Sequence, residues 1–225
     1  MVAVVLSVAL VFAGIGALGG GALFVERQRR HRFVVAAAAR GWTYAPRDRE
    51  LAHRWQTWPF GQGRHRRARH VLRGSVDGRS CIAFEYTFRH GVPGGPQGPA
   101  EATATWGVVA LALPSALPRV GVSRSGPLGR VFAGLGRHGV QFESEDFNRR
   151  FRVRTDDPRT AHAILHPRLM ADLLDGPFYD FRLEAADALS CWPGRLRLED
   201  VDNRLAFLQR VVASVPGYVW GDRPT

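Results

Sequence analysis

The chain has 225 residues, and its 31 basic side chains outnumber 20 acidic ones; lysine is absent, so every one of the 31 is arginine. That length holds a membrane anchor plus one domain able to bury a core without disulfides or metals. Two cysteines, Cys81 and Cys191, exclude a disulfide-dense secreted scaffold, and burial as small apolar side chains is the expectation for both.

Asparagine occurs only at Asn148 and Asn203, which together with the missing lysine is the usage of a GC-rich genome, so part of the basicity is codon bias. Bias does not explain position. From Glu26 to Gly74 thirteen arginines face three acids, whereas the rest of the chain has eighteen against seventeen. The excess is local and calls for a local reason.

In chain order, residues 2–25 carry no charge and are rich in Ala, Val, Leu, Ile, Phe and Gly, long enough as a helix to cross a hydrocarbon core of ~30 Å. The start "MVAVVLS" and the end "FVERQRR" lack the features of a cleaved signal peptide, so a transmembrane helix is expected. Arg27, Arg29, Arg30 and Arg32 follow it and no basic side chain precedes it. The positive-inside rule then puts the N-terminus outside and the C-terminal domain in the cytoplasm of a single-pass cell-membrane protein. The helix should continue through "RFVVAAAAR" to Gly41, dividing the chain into residues 1–40, an anchor with a basic extension, and 41–225, one domain. Gly16 and Gly20 form a GxxxG pair, which admits a homodimer as readily as a lone helix.

Residues 41–225 read as α+β: a mainly antiparallel sheet with helices packed on it, the helices clustering late in the chain. Asp77-Gly78 predicts a hairpin, after which Ile82, Phe84, Tyr86 and Phe88 alternate with Ala83, Glu85, Thr87 and Arg89, giving one apolar face. "ATATWGVVALALP" predicts a long strand, "PRVGVSR" another, and "RFRVRT" a third with a solvated arginine face. Asp157-Pro158 and His166-Pro167 each open a helix, and Gly176-Pro177 stops the second. "FYDFRLEA" and "ALSCWPGRLRL" predict a second hairpin, and Val201, Leu205, Leu208, Val212 and Val215 mark the packed stripe of a last helix.

Catalytic patterns are missing. There is neither Cys-x-x-Cys nor His-Glu-x-x-His, His162 and His166 lack a matching carboxylate, and no metal or other cofactor is expected. "GIGALG" and "GLGRHG" spell the dinucleotide fingerprint, but the first lies in the apolar span and the second precedes no crossover helix. Asp156-Asp157 and Glu199-Asp200-Asp202 stand where helices start, as capping and the helix dipole favour.

The stretches "ARGWTYAPRD", "WPFGQGRHRRARHVLRGSVDGRSCIAFEYTF" and "FNRRFRVRTDDPRTAHAILHPRLMADLL" resemble those of a family of single-pass, membrane-anchored actinobacterial proteins with a domain of unknown function. Trp42, Trp58, Phe60, Gly61, Phe84 and Tyr86 carry the resemblance. It implies an N-terminal anchor and an α+β cytoplasmic domain, and brings no catalytic residues with it.

Two functions fit. One is a membrane-tethered binding or scaffold module whose arginines, Arg27, Arg29, Arg30 and Arg32 with Arg64, Arg66, Arg67 and Arg69, face the anionic inner leaflet, which attracts each with ~1 kcal/mol. The other is a membrane-bound enzyme, such as a hydrolase, with a site assembled from dispersed residues. The first is preferred because no reactive constellation is visible. Nucleic acid is the weakest partner, since the charge tracks the border of the apolar span instead of alternating with aromatics.

Overall fold

The computed structural model describes residues 24–93, 100–126 and 138–221. Helix α1, residues 24–39, comes first and ends at Gly41, whose φ of 66° only a residue without Cβ adopts freely. Seven strands follow: β1 Thr43–Asp48, β2 Arg64–Val76, β3 Arg79–Val92, β4 Ala100–Arg124, β5 His138–Val140, β6 Phe151–Thr155 and β7 Phe181–Pro193. Between them run α2 Glu145–Arg150, α3 Pro158–Ile164 and α4 Pro167–Asp175, and α5 Leu198–Ser214 closes the layer.

Among the described residues all strand pairs are antiparallel, in the order β1-β2-β3-β4-β6-β5, with β7 also on β4. The fold is therefore α+β with a mainly antiparallel sheet and packed helices. β2 and β3 meet at Asp77-Gly78, both in the left-handed region, as the hairpin signal requires. β4 is the spine: β3 pairs along residues 100–111, β6 takes over at Val120–Arg124, and β7 pairs along the opposite side.

Two expectations are corrected here. The strands expected around "VALALP" and "PRVGVSR" are one strand, because Pro114 and Pro118 fall between Leu111 and Val120, where β3 has ended and β6 has not begun, so no partner on that side loses a hydrogen bond. The second hairpin is also one strand, β7, whose in-and-out alternation shifts by one residue near Ala185, where φ is 53° and the register against β4 is irregular. That shift keeps Arg182, Glu184, Asp187, Leu189 and Cys191 on one face despite the change of spacing.

The helices cover one face of the sheet. Phe33 and Ala37 of α1, Phe147 of α2, Ile164 of α3, Leu169 and Leu173 of α4, and Val201, Leu205, Leu208 and Val212 of α5 share one core. The helix starts are built as the sequence indicates, with Asp157 accepting from the amides of Arg159 and Thr160, and His166 Nδ1 from that of Leu169. The other face is covered by the strap of residues 49–63, which lays Leu51, Trp55 and Phe60 on Phe84, Tyr86 and Val108. Cys81 and Cys191 are free and buried in these two separate cores, and burial pushes the Cys81 thiol up to about 11.

Among the described residues no helix is long and apolar enough to cross a membrane. The expected span 2–25 lies outside them except for Phe24 and Val25, which open α1, and so do Gly16 and Gly20 of the expected dimer contact.

Candidate functional site

Helix α1 is docked through one stripe, Glu26, Arg29, Phe33, Ala37 and Arg40, recurring at spacings of three and four. Arg29 donates to Glu85 Oε2 at 2.6 Å and to the Leu196 carbonyl at 3.0 Å, and Glu85 also accepts from the Leu196 amide at 3.2 Å. Burial alone would raise the Glu85 carboxyl, but Arg29 and that amide outweigh it and hold the group below its ordinary value. Arg40 reaches Asp202 of α5 at 2.6 Å.

On the other flank Glu26 accepts from Arg69 at 3.1 Å and lies 2.9 Å from His70 Nε2, while Tyr44 Oη lies 3.0 Å from His70 Nδ1. Burial, reinforced by the Arg29 charge, pushes His70 below the ordinary imidazole value despite Glu26. The neutral ring fits its partners in one tautomer: Nε2–H donates to Glu26, and Nδ1 accepts from Tyr44.

These contacts give the layer a direction. Arg69 and His70 of β2 meet the first turn of α1, whereas Gly74 lies under Trp42, beyond its last turn. The two elements run the same way, so the start of β2 lies at the end of the sheet where α1 begins. Arg64 pairs in register with Arg89, and Tyr86, Trp106 and Pro193 are level with Ala68, which brings the end of β3 and residues 194–197 to the same end. Exposed Arg27, Arg30, Arg32, Arg64, Arg67, Arg89, Arg195 and Arg197 therefore collect there. At the opposite end the β2–β3 turn carries Asp77, held by Gln209 of α5.

The eight arginines expected to face a lipid surface divide by role. Arg27, Arg30, Arg32 and Arg67 are exposed. Arg64 is also exposed and pairs with Glu101. Arg29 and Arg69 hold α1 to the sheet, and Arg66 donates to the carbonyls of Gly61, Gln62 and Gly63, closing the strap. Sequence reasoning missed Arg89, Arg195 and Arg197 because they lie far in sequence from the basic segment and only strand register brings them to this end.

Buried charged groups elsewhere are engaged in structural contacts. Asp187 accepts from Arg54 at 3.0 Å and from Trp55 Nε1 at 3.0 Å, Glu184 accepts from Thr57 Oγ1 and from the Gln56 amide, and Arg182 donates to the Trp58 carbonyl. These three residues of β7 fasten the strap. Arg204 of α5 lies over the rings of Trp192 and Tyr179, 4.3 and 4.5 Å from their centroids, and donates to Ser190 Oγ at 2.6 Å. Among the described residues no group of three or more His, Cys, Asp or Glu is placed to hold a metal ion.

The basic end also has relief. Between α1 and the start of α5 lies a groove of about 370 Å³ lined by Val25, Gln28, Arg29, Arg32, Phe33, Leu196, Arg197 and Leu198. A shallower depression beside it shares Gln28 and Arg32 and adds Phe24, Arg27 and His31.

No protein-family model and no curated protein matches the chain. Among solved structures it is similar to the crystal structure of the mycobacterial trehalose monomycolate transport factor A, TtfA, at 15% sequence identity with a TM-score of 0.56, covering 83% of this chain and 96% of that one. At that identity the likeness is one of fold.

Proposed function

We propose that the chain is a membrane-anchored binding module whose domain rests its basic end on the anionic cytoplasmic leaflet, with residues 2–25 as the anchor and the N-terminus outside. One observation carries this reading: the helix that continues the apolar stretch begins at the end of the sheet where eight exposed arginines from four separate parts of the chain collect. Each such charge gains ~1 kcal/mol near an anionic surface, so even a few orient the domain. Because α1 is docked through Arg29–Glu85 and Phe33, that orientation passes to the whole sheet. The fold likeness to a trehalose monomycolate transport factor agrees with a module that serves lipid handling at a membrane.

The test is vesicle co-sedimentation of the fragment from Phe24 onward, which keeps α1 because Phe33 and Ala37 belong to the core. It should bind anionic vesicles, leave neutral ones in solution, and release as salt shortens the ~8 Å screening length. Replacing Arg27, Arg30, Arg64 and Arg67 together by Gln should remove most of the binding without lowering the melting temperature, since exposed arginines add little stability. Unchanged binding by that variant, or a stronger salt-resistant preference for single-stranded nucleic acid, refutes the reading. In cells, a reporter fused after Thr225 should behave as cytoplasmic.

A further inference from the structure

Building on the proposed membrane orientation, we infer that the groove between α1 and the start of α5 is a binding site for one anionic lipid, held by its phosphodiester. Its two rims come from elements far apart in sequence. Arg32 stands on α1 and Arg197 on the loop before α5, both exposed, and among the described residues neither is tied to a carboxylate by a salt bridge. Arg29 also lines the groove, but its charge is met by Glu85 at 2.6 Å, so it contributes a wall. Among the described residues no carboxylate lines the groove, and an arginine fork on each side suits the oxygens of one phosphate. Gln28 adds a neutral donor.

The rest of the lining is apolar. Phe33 and Leu196 are buried at the base, Val25 is exposed on the α1 side, and Leu198 is half-buried on the other. Cationic rims over an apolar base match a phosphodiester that continues into hydrocarbon. They match a nucleotide poorly, because the aromatic residue lining the groove, Phe33, is buried and offers no free face for a base to stack on. Location selects the lipid as well: Val25 and Gln28 lie in the first turns of α1, directly after the apolar stretch, so the groove opens at the level of the leaflet surface.

The walls are also held in place before any ligand arrives. The Leu196 carbonyl accepts from Arg29 and its amide donates to Glu85, which fixes the loop that carries Arg197 against α1. Less ordering remains to be done on binding.

Native mass spectrometry of the full chain in neutral detergent, with dioleoyl phosphatidylglycerol or dioleoyl phosphatidylcholine added, tests the site. One phosphatidylglycerol should be retained per chain, at least about tenfold more strongly than phosphatidylcholine, and the R32Q/R197Q double variant should lose that preference while melting like the wild type. Equal retention of the two lipids, or an unchanged double variant, overturns the site. Displacement by inorganic phosphate at the same concentration as the lipid overturns the lipid assignment, since a phosphate pocket would need no acyl chain. The two proposals separate cleanly. Loss of one-to-one retention in the double variant with vesicle binding intact supports the groove alongside the surface reading, and retention without any vesicle binding supports the groove and refutes the surface reading.

Discussion

On the helical face Glu85 ties one strand to two other parts of the chain. It is 4% exposed and joins β3 to α1 through Arg29 and to the loop before α5 through the Leu196 amide. Glu85→Gln keeps the shape and removes the charge, leaving a guanidinium whose side chain is 16% exposed without its counter-ion. We expect a loss of about 2 kcal/mol in urea unfolding at neutral pH, typical of a hydrogen bond to a charged group in a partly buried place. The sign with pH follows from the lowered carboxyl. Its contribution is complete above the ordinary value near 4.5 and is lost as the pH falls through the folded value. Wild type and variant should therefore converge on acidification below about pH 4.5, and a gap that stays constant with pH would refute the ion-pair account.

Glu85 also shows what the sequence hid. The alternation from Ile82 to Arg89 predicts one apolar face and assigns Ala83 and Glu85 to solvent. In the folded chain Phe84, Tyr86 and Phe88 do share a face, under the strap, but Ala83 and Glu85 are buried too, because α1 and its neighbours cover the reverse side. Alternation reports how polar each face is, and a face of small residues with one carboxylate reads as wet until its guanidinium partner, 56 residues away, is known. The same reasoning explains Arg66, which looks like one more surface charge in "GRHRRARH" and in fact holds three carbonyls of its own loop.

At the scale of elements, glycine in the central sheet marks close packing. A Cβ on Gly107 of β4 would stand 2.2 Å from Trp192 Cε2 on the neighbouring β7. That ring also packs against Arg204 of α5, so it has little room to move away. Gly107→Ala should cost about 1–3 kcal/mol of unfolding free energy as overpacking. Adding Trp192→Leu should return part of it, a coupling that a double-mutant cycle reads directly; additive effects would mean that the ring is not the obstacle. Elements with strong local signals were legible from the sequence: the Asp77-Gly78 hairpin, the two Pro-initiated helices, the α5 stripe and the stop at Gly41. The merged β4 and β7 were not, because a proline pair and a shift of alternation at Ala185 look like breaks until the neighbouring strands are known to be absent or out of register there.

At the scale of the whole molecule, five of the eight exposed arginines of the candidate site were visible as charge density after the apolar stretch, and three were not. Arg27, Arg30, Arg32, Arg64 and Arg67 reach the basic end as their closeness in sequence implied, whereas Arg89, Arg195 and Arg197 arrive there only by strand register. The groove escaped the sequence altogether, since its rims, Arg32 and Arg197, are neighbours only in space.

The strap over the second core has a consequence for synthesis. Its fastenings to β7 join residues 124 to 133 positions apart, and β7 is the last strand made. At ~5–20 residues per second the ribosome needs roughly 6 to 27 s to cover that distance. Throughout it Trp55, Phe60 and Phe84 lack the strand that completes their cover. The nascent chain thus carries an open apolar face, and loop closure over such distances is intrinsically slow. A chain ended after Gly176 should bind a hydrophobic dye and be cut by protease within residues 49–63, where the complete chain resists. Resistance of the shortened chain would mean that the strap closes without β7. If it does not, the folding of this protein is a race between elongation and self-association of half-made copies, and chaperone demand should rise with its rate of translation.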